Sequence, residues 1–129
     1  MAGNDLEKSV HLREKLGLFE KTWTPHIIAE LNGQRVKLAK LRGELCWHSH
    51  ADEDELFFVV EGSLTMQMRD GSREWSVEIG PGELFVVPRG LEHNPVSPGG
   101  ASVMLFEPAE TRHTGEVEHE RTVREQGWV

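Results

Sequence analysis

Hydrophobic residues along this chain recur mostly at every second position, in short runs cut by turn-forming residues. Leu64, Met66 and Met68 alternate with Thr65, Gln67 and Arg69, the period of a strand with one buried face. Asp70-Gly71 reads as a hairpin turn, and a returning strand over 74–79 puts Trp75, Val77 and Ile79 on one side. Gly80-Pro81-Gly82 ends it, a strand over 83–87 follows, and Pro88-Arg89-Gly90 turns the chain. Ser97-Pro98-Gly99-Gly100 is expected to turn it again before a last strand over 101–107. Upstream, Leu56-Phe57-Phe58-Val59-Val60 reads as a strand opened by Glu55. A strand over 35–42 carries Val36, Leu38 and Lys40 on one face, with Ala39 and Leu41 on the other.

The N-terminal part reads differently. Asn4 or Asp5 can cap a short amphipathic helix over 5–16, with Leu6, Val10 and Leu16 near helical spacing and Gly17 to end it. Its expected job is to cover an open end or edge of the sheet. Residues 23–28 follow as an irregular or extended segment holding His26, and Asn32-Gly33 marks a turn. Residues 108–129 are polar and read as an extended tail, with at most a short helix near 122–126. Short strands separated by turns, with little helix between them, predict an antiparallel all-β sandwich or barrel. Closing such a sheet removes its edges.

A length of 129 residues suits one domain, the commonest size being about 100 to 150 residues. We expect a single domain over 1–129, with a barrel core at about 35–107, a helix and arm over 1–34 and a tail over 108–129. The 14 basic and 22 acidic residues give a formal charge of −8, which offers no electrostatic footprint for nucleic acid or an anionic membrane. No run approaches the roughly 20 apolar residues of a membrane span, and the first ten residues lack the pattern of a signal peptide. A cytoplasmic protein is expected. Cys46 is the single cysteine, which rules out an internal disulfide. It reads as a small buried residue, although it shares strand parity with His48 and His50.

Those two histidines carry the chemistry. Two residues apart on a strand, they project from one side about 7 Å apart along the backbone and can grip one cation. Glu55 follows after the polar run Ala51-Asp52-Glu53-Asp54, which reads as a turn that lets the carboxylate face the imidazoles again. Glu53 is its rival. A third imidazole, His93, stands just past another strand and the Pro88–Gly90 turn.

At these residues the chain resembles the cupin superfamily. The family's first motif matches Gly43, His48, His50, Glu55 and Gly62, and its second matches Gly82, Pro88, Gly90 and His93, the resemblance spanning about 36–107. Two departures are visible: four rather than five residues separate Gly43 from His48, and Ser97 stands where the second motif carries asparagine. The resemblance implies a double-stranded β-helix, or jelly-roll barrel, of small monocupin type. It also implies one divalent transition metal held by His48, His50, Glu55 and His93. Three imidazoles and a carboxylate suit iron, manganese, nickel or zinc better than calcium or magnesium, and the set lacks the thiolates of closed structural sites.

Phe57 and Val59 share parity with Glu55, and Phe85 precedes His93, so these three are expected as an apolar wall of a substrate pocket. Lys40 is expected there as an anchor for an acidic group if its face is the interior. Trp47, between the histidines, must point outward, and with the family's habit of pairing it suggests a homodimer. Three functions fit: a metal-dependent enzyme acting on a small polar molecule as dioxygenase, isomerase, epimerase or lyase; a non-catalytic module binding a sugar, organic acid or other small ligand; or a structural metal protein that acts through a partner surface.

Overall fold

The computed structural model describes residues 3–109 and 126–129, and the helix expected near 122–126 falls almost wholly outside them. The element order is α1 (Leu12–Leu16), β1 (His26–Leu31), β2 (Gln34–Glu44), β3 (Glu55–Gly62), β4 (Leu64–Asp70), β5 (Arg73–Ile79), β6 (Leu84–Val87) and β7 (Glu92–Pro108). Every pairing among these strands is antiparallel, in the order β1-β2-β7-β3-β6, with β4 joined to both β5 and β7. This is the all-β barrel expected from the alternation.

β7 organises it. Its first residues pair with β4, from Arg69 opposite Glu92 to Thr65 opposite Val96. Its later ones lie between β2 and β3, with Val103 opposite both Ala39 and Val59. The turn expected at Ser97–Gly100 is instead a bulge within this strand: Gly43 pairs with Ser97 and Leu41 with Ala101, so three residues of β7 stand against Arg42 alone. An unequal count of this kind bends a strand and lets it serve both halves of the barrel.

The core lies inside. Val59, Leu64, Met66, Met68 and Val103 are fully buried, and Ala39, Leu41 and Phe57 join them. On β2 the interior is therefore the Ala39 and Leu41 side. Val36 and Leu38 face outward, where Leu16 of α1 and Ile28 of β1 cover them. The helix is shorter than its expected 5–16: Leu6 is 94% exposed, and without a surface to pack on three apolar residues do not sustain a helix. Of the segment read as irregular or extended over 23–28, residues 26–28 open β1, whose outer edge takes Trp128 in a parallel bridge to Ile27.

Gly62 closes β3 with φ +80°, and a Cβ there would strike the carbonyl oxygen of Gly100 in the bulge. Gly71, in the β4–β5 hairpin, also has positive φ but open space around it. Gly71→Ala is expected to cost about 1 kcal/mol from backbone strain alone, whereas Gly62→Ala costs at least about 2 kcal/mol more because backbone must move. Denaturant unfolding of the two variants checks the difference.

Candidate metal centre

The stretch holding the two histidines leaves the sheet after Glu44 and touches it again once, where His48 and His93 form an isolated antiparallel bridge. Both of its hydrogen bonds form, His48 N to His93 O at 3.0 Å and His93 N to His48 O at 2.8 Å. Two residues on, Gly90 N donates to His50 O at 2.7 Å. The Asp52–Asp54 turn is anchored from the other side, since Arg89 N donates to Asp54 Oδ1 at 2.9 Å. Glu55 then opens β3 with its side chain inward, in phase with Phe57 and Val59. Glu53, its rival, stays on the turn, where its carboxylate accepts from Asp52 N.

These anchors bring together one donor atom each from His48, His50, Glu55 and His93, all within 4.8 Å of one another. All four residues are buried, none more than 3% exposed. Glu55 Oε1 lies 3.3 Å from His50 Nε2 and 3.8 Å from His93 Nε2. The imidazole rings of His48 and His93 are 4.3 Å apart by centroid.

The chemistry of the donors tests the fit to a cation. His48 Nδ1 faces Cys46 O and His93 Nδ1 faces Leu91 O, both at 2.9 Å. A carbonyl only accepts, so each Nδ1 carries the hydrogen, and a neutral ring then presents a bare lone pair at Nε2. Those Nε2 atoms of His48 and His93 are buried without a hydrogen-bond partner. Leaving a polar atom so costs about 1–3 kcal/mol each, and a bound cation removes the cost. The residues fit a divalent transition ion.

Electrostatics agree. Burial, with the His93 ring beside it, lowers His48 from 6.5 to about 3, so the ring stays neutral. Burial alone would raise Glu55, but its contacts with Glu107, His50 and His93 hold the carboxyl well below the usual carboxylate range. Cys46 stays half-buried with Sγ 3.9 Å from His48 Nδ1, and burial raises its thiol.

Beside the cluster is a cavity of about 20 Å³, lined by Trp23, Pro25, Leu45, His48, Glu55 and Phe57 among others. That volume holds about one or two water-sized molecules. Phe57 lines this cavity. Val59 is fully buried deeper along β3, and Phe85 is half-buried opposite Phe57 on β6; neither lines the cavity. Lys40 is corrected. It faces away from the interior, donates to Phe19 O at 2.8 Å and lies over the Phe19 ring.

Trp47 does point outward, but the Arg69 guanidinium covers it at 4.2 Å, so its half-burial needs no second chain. Ser97, in place of the motif asparagine, is buried and donates to Ser63 O at 2.7 Å, tying β7 to the start of β4. Two inward residues had no place in the reading of the sequence: Lys37 Nζ and Glu107 Oε1 form a buried pair at 2.8 Å. Trp23 is a third. It closes the cavity from the N-terminal arm at φ +56°, held by Trp23 N to Lys40 O at 2.8 Å and Nε1 to Arg42 O at 2.9 Å.

The low value of His48 fixes a pH dependence for the metal-free protein. Below about 6.5 the unfolded chain takes up a proton that the folded ring refuses down to about 3. Stability from this group is therefore full above about pH 6.5 and lost as pH falls, by up to about 1.4 kcal/mol per pH unit. Denaturant unfolding of chelator-treated protein between about pH 7 and pH 4.5 should show that slope, and His48→Gln should flatten it.

A family model described as the cupin domain matches residues 34–124. The chain is 39% identical over 66 residues to the uncharacterised protein YdbB of Bacillus subtilis, a match covering 51% of this chain and 56% of that one. It is 35% identical over 52 residues to a 3-hydroxyanthranilate 3,4-dioxygenase of Jannaschia sp., covering 40% of this chain and 29% of the enzyme. The chain thus spans little more than half of the first relative and under a third of the second. Among solved structures, a cupin-2 domain containing protein from Shewanella frigidimarina superposes with a TM-score of 0.72 at 39% identity, covering 77% of this chain and 93% of that one. The family match runs through β2 to β7 and takes in all four clustered residues, and the chain belongs to the cupin domain family.

Proposed function

We propose that this chain is a metal-dependent enzyme that holds one divalent transition ion through His48, His50, Glu55 and His93 and acts on a small polar organic molecule. The observation that carries the reading is the buried donor cluster with bare Nε2 atoms beside an open cavity. Such an ion, when bound, polarises an oxygen function of a substrate or activates a small molecule at its remaining positions. The protein's own part is to keep His48 neutral, to aim the donors and to line the approach with apolar groups.

Within that class the reading favours dioxygen chemistry over isomerase or lyase action. The cavity is small and its walls are largely apolar, and such spaces admit small nonpolar molecules readily. The local likeness to a dioxygenase supports the same reading. The proposal also carries a cytoplasmic location; among the described residues no helix is long and apolar enough to cross a membrane. It includes the homodimer, with Leu84 and Val86, 59% and 45% exposed on the edge strand β6, as side chains a second copy would cover.

Metal analysis of untagged protein should find about one equivalent per chain, and His48→Ala or His93→Ala should weaken binding by more than the roughly 10–100-fold typical of outer residues. Nitric oxide, a surrogate for dioxygen, should change the electron paramagnetic resonance signal of iron-loaded protein; an unchanged signal would remove the dioxygen reading, and a protein that takes up no metal would remove the whole proposal. Light scattering should give twice the chain mass for the wild type and a smaller value for Leu84→Lys/Val86→Lys.

A further inference from the structure

Three charged residues form a row across the inner face of the barrel, and the metal centre uses only the last. Lys37 on β2 and Glu107 on β7 are each 1% exposed and joined at 2.8 Å. The β3–β7 register sets Leu56 opposite Phe106. Continued by one residue, that register brings Glu107 beside Glu55, close enough for the two carboxyls to interact. Neither Lys37 nor Glu107 lines the cavity or joins the four-donor cluster.

Folding does not account for this row. Acidic groups directly opposed across two strands repel, and apolar residues of similar volume commonly hold a fold as well as a buried ion pair does. Position accounts for it better. Lys37 donates to Glu107 Oε1 and fixes it, Glu107 stands beside the Glu55 carboxyl, and Glu55 Oε1 is left near the Nε2 atoms of His50 and His93. Outer groups that orient ligands in this way commonly set affinity over about 10–100-fold.

We propose that Lys37 and Glu107 are positioning residues for Glu55: the pair holds that carboxylate in the orientation that presents one oxygen to a bound cation, and so sets how tightly the ion is held and in what geometry. This rests on the metal-centre reading above. A pair that served folding alone would change stability and leave the ion's environment untouched.

Cobalt(II) is the probe, because its visible absorption reports the number and arrangement of ligands as well as occupancy. Chelator-stripped wild type, Glu107→Gln, Glu107→Asp and Lys37→Met/Glu107→Leu are titrated with cobalt, and their thermal midpoints are measured without metal. Glu107→Gln, which keeps the shape and can still bridge Lys37 and Glu55, should stay within about threefold of wild type. The double variant replaces the pair by apolar groups; it should lose about 10–100-fold in affinity and shift the absorption bands while its metal-free midpoint changes little. Glu107→Asp withdraws the carboxyl by one methylene and should show the same loss, which keeps the test decisive if the double variant does not fold. Unchanged affinity and spectrum in Glu107→Asp or in the folded double variant would overturn the positioning role while leaving the metal centre standing. Wild type that binds no cobalt would overturn both.

Discussion

Polar atoms inside a dry barrel must be satisfied by one another or by something bound, and that constraint shapes this protein. Val59, Leu64, Met66, Met68 and Val103 are fully buried apolar groups of the interior, yet His48, His50, Glu55, His93, Lys37 and Glu107 also enter it. An isolated ionised group in such surroundings costs far more than a protein of this size can lose. The arrangement meets the constraint in two ways. Lys37 donates to Glu107, and the imidazoles of His48 and His93, which donate through Nδ1 to Cys46 O and Leu91 O, turn lone pairs into a cluster with His50 and Glu55 that a cation would complete.

Backbone pairing makes that convergence possible. β7 carries His93 near one end and Glu107 near the other, both inward, and its bulge opposite Arg42 lets one strand join β4 first and then β2 and β3. The reciprocal bridge between His48 and His93 brings a segment that has left the sheet back against it. Arg89 N bonded to Asp54 fastens the turn before Glu55 to the turn before His93. Few residues there are free to drift, so the donors are aimed before any ion arrives.

Much of this was legible in the sequence because the outer faces of several strands are wet. β4 alternates cleanly, and its register could be read from Leu64, Met66 and Met68 alone. β2 was harder. It carries apolar residues on both faces, since α1 and β1 cover its outer side, and period-2 reasoning then cannot say which face is inside. Lys40 shares the covered outer side with Val36 and Leu38, not the interior. On β2 the charged residues in phase with Ala39 and Leu41 are Arg35, near the strand's open end and paired with Glu30, and Lys37, and on β7 the one in phase with Val103 and Leu105 is Glu107; opposite charges at core phase on two strands were the available sign of a buried pair. The Ser97–Gly100 segment failed for another reason: local turn chemistry cannot distinguish a chain reversal from a bulge, because that depends on the strand opposite.

The split between motif and arm has a consequence for specificity. The clustered donors lie within the stretch that matches the family, so the donor set is a property of the barrel. Trp23 and Pro25, which close the space beside the ion, come from the segment before β1 and lie outside that match. Trp23 is held at a positive φ that a tryptophan adopts only under constraint, its main chain bonded to Lys40 and its indole to Arg42 on β2. A constrained residue of that bulk sets the size of the space as firmly as any strand does. The space beside the four donors is therefore shaped in part by a segment that carries none of them, and two proteins with the same four donors need not share a substrate.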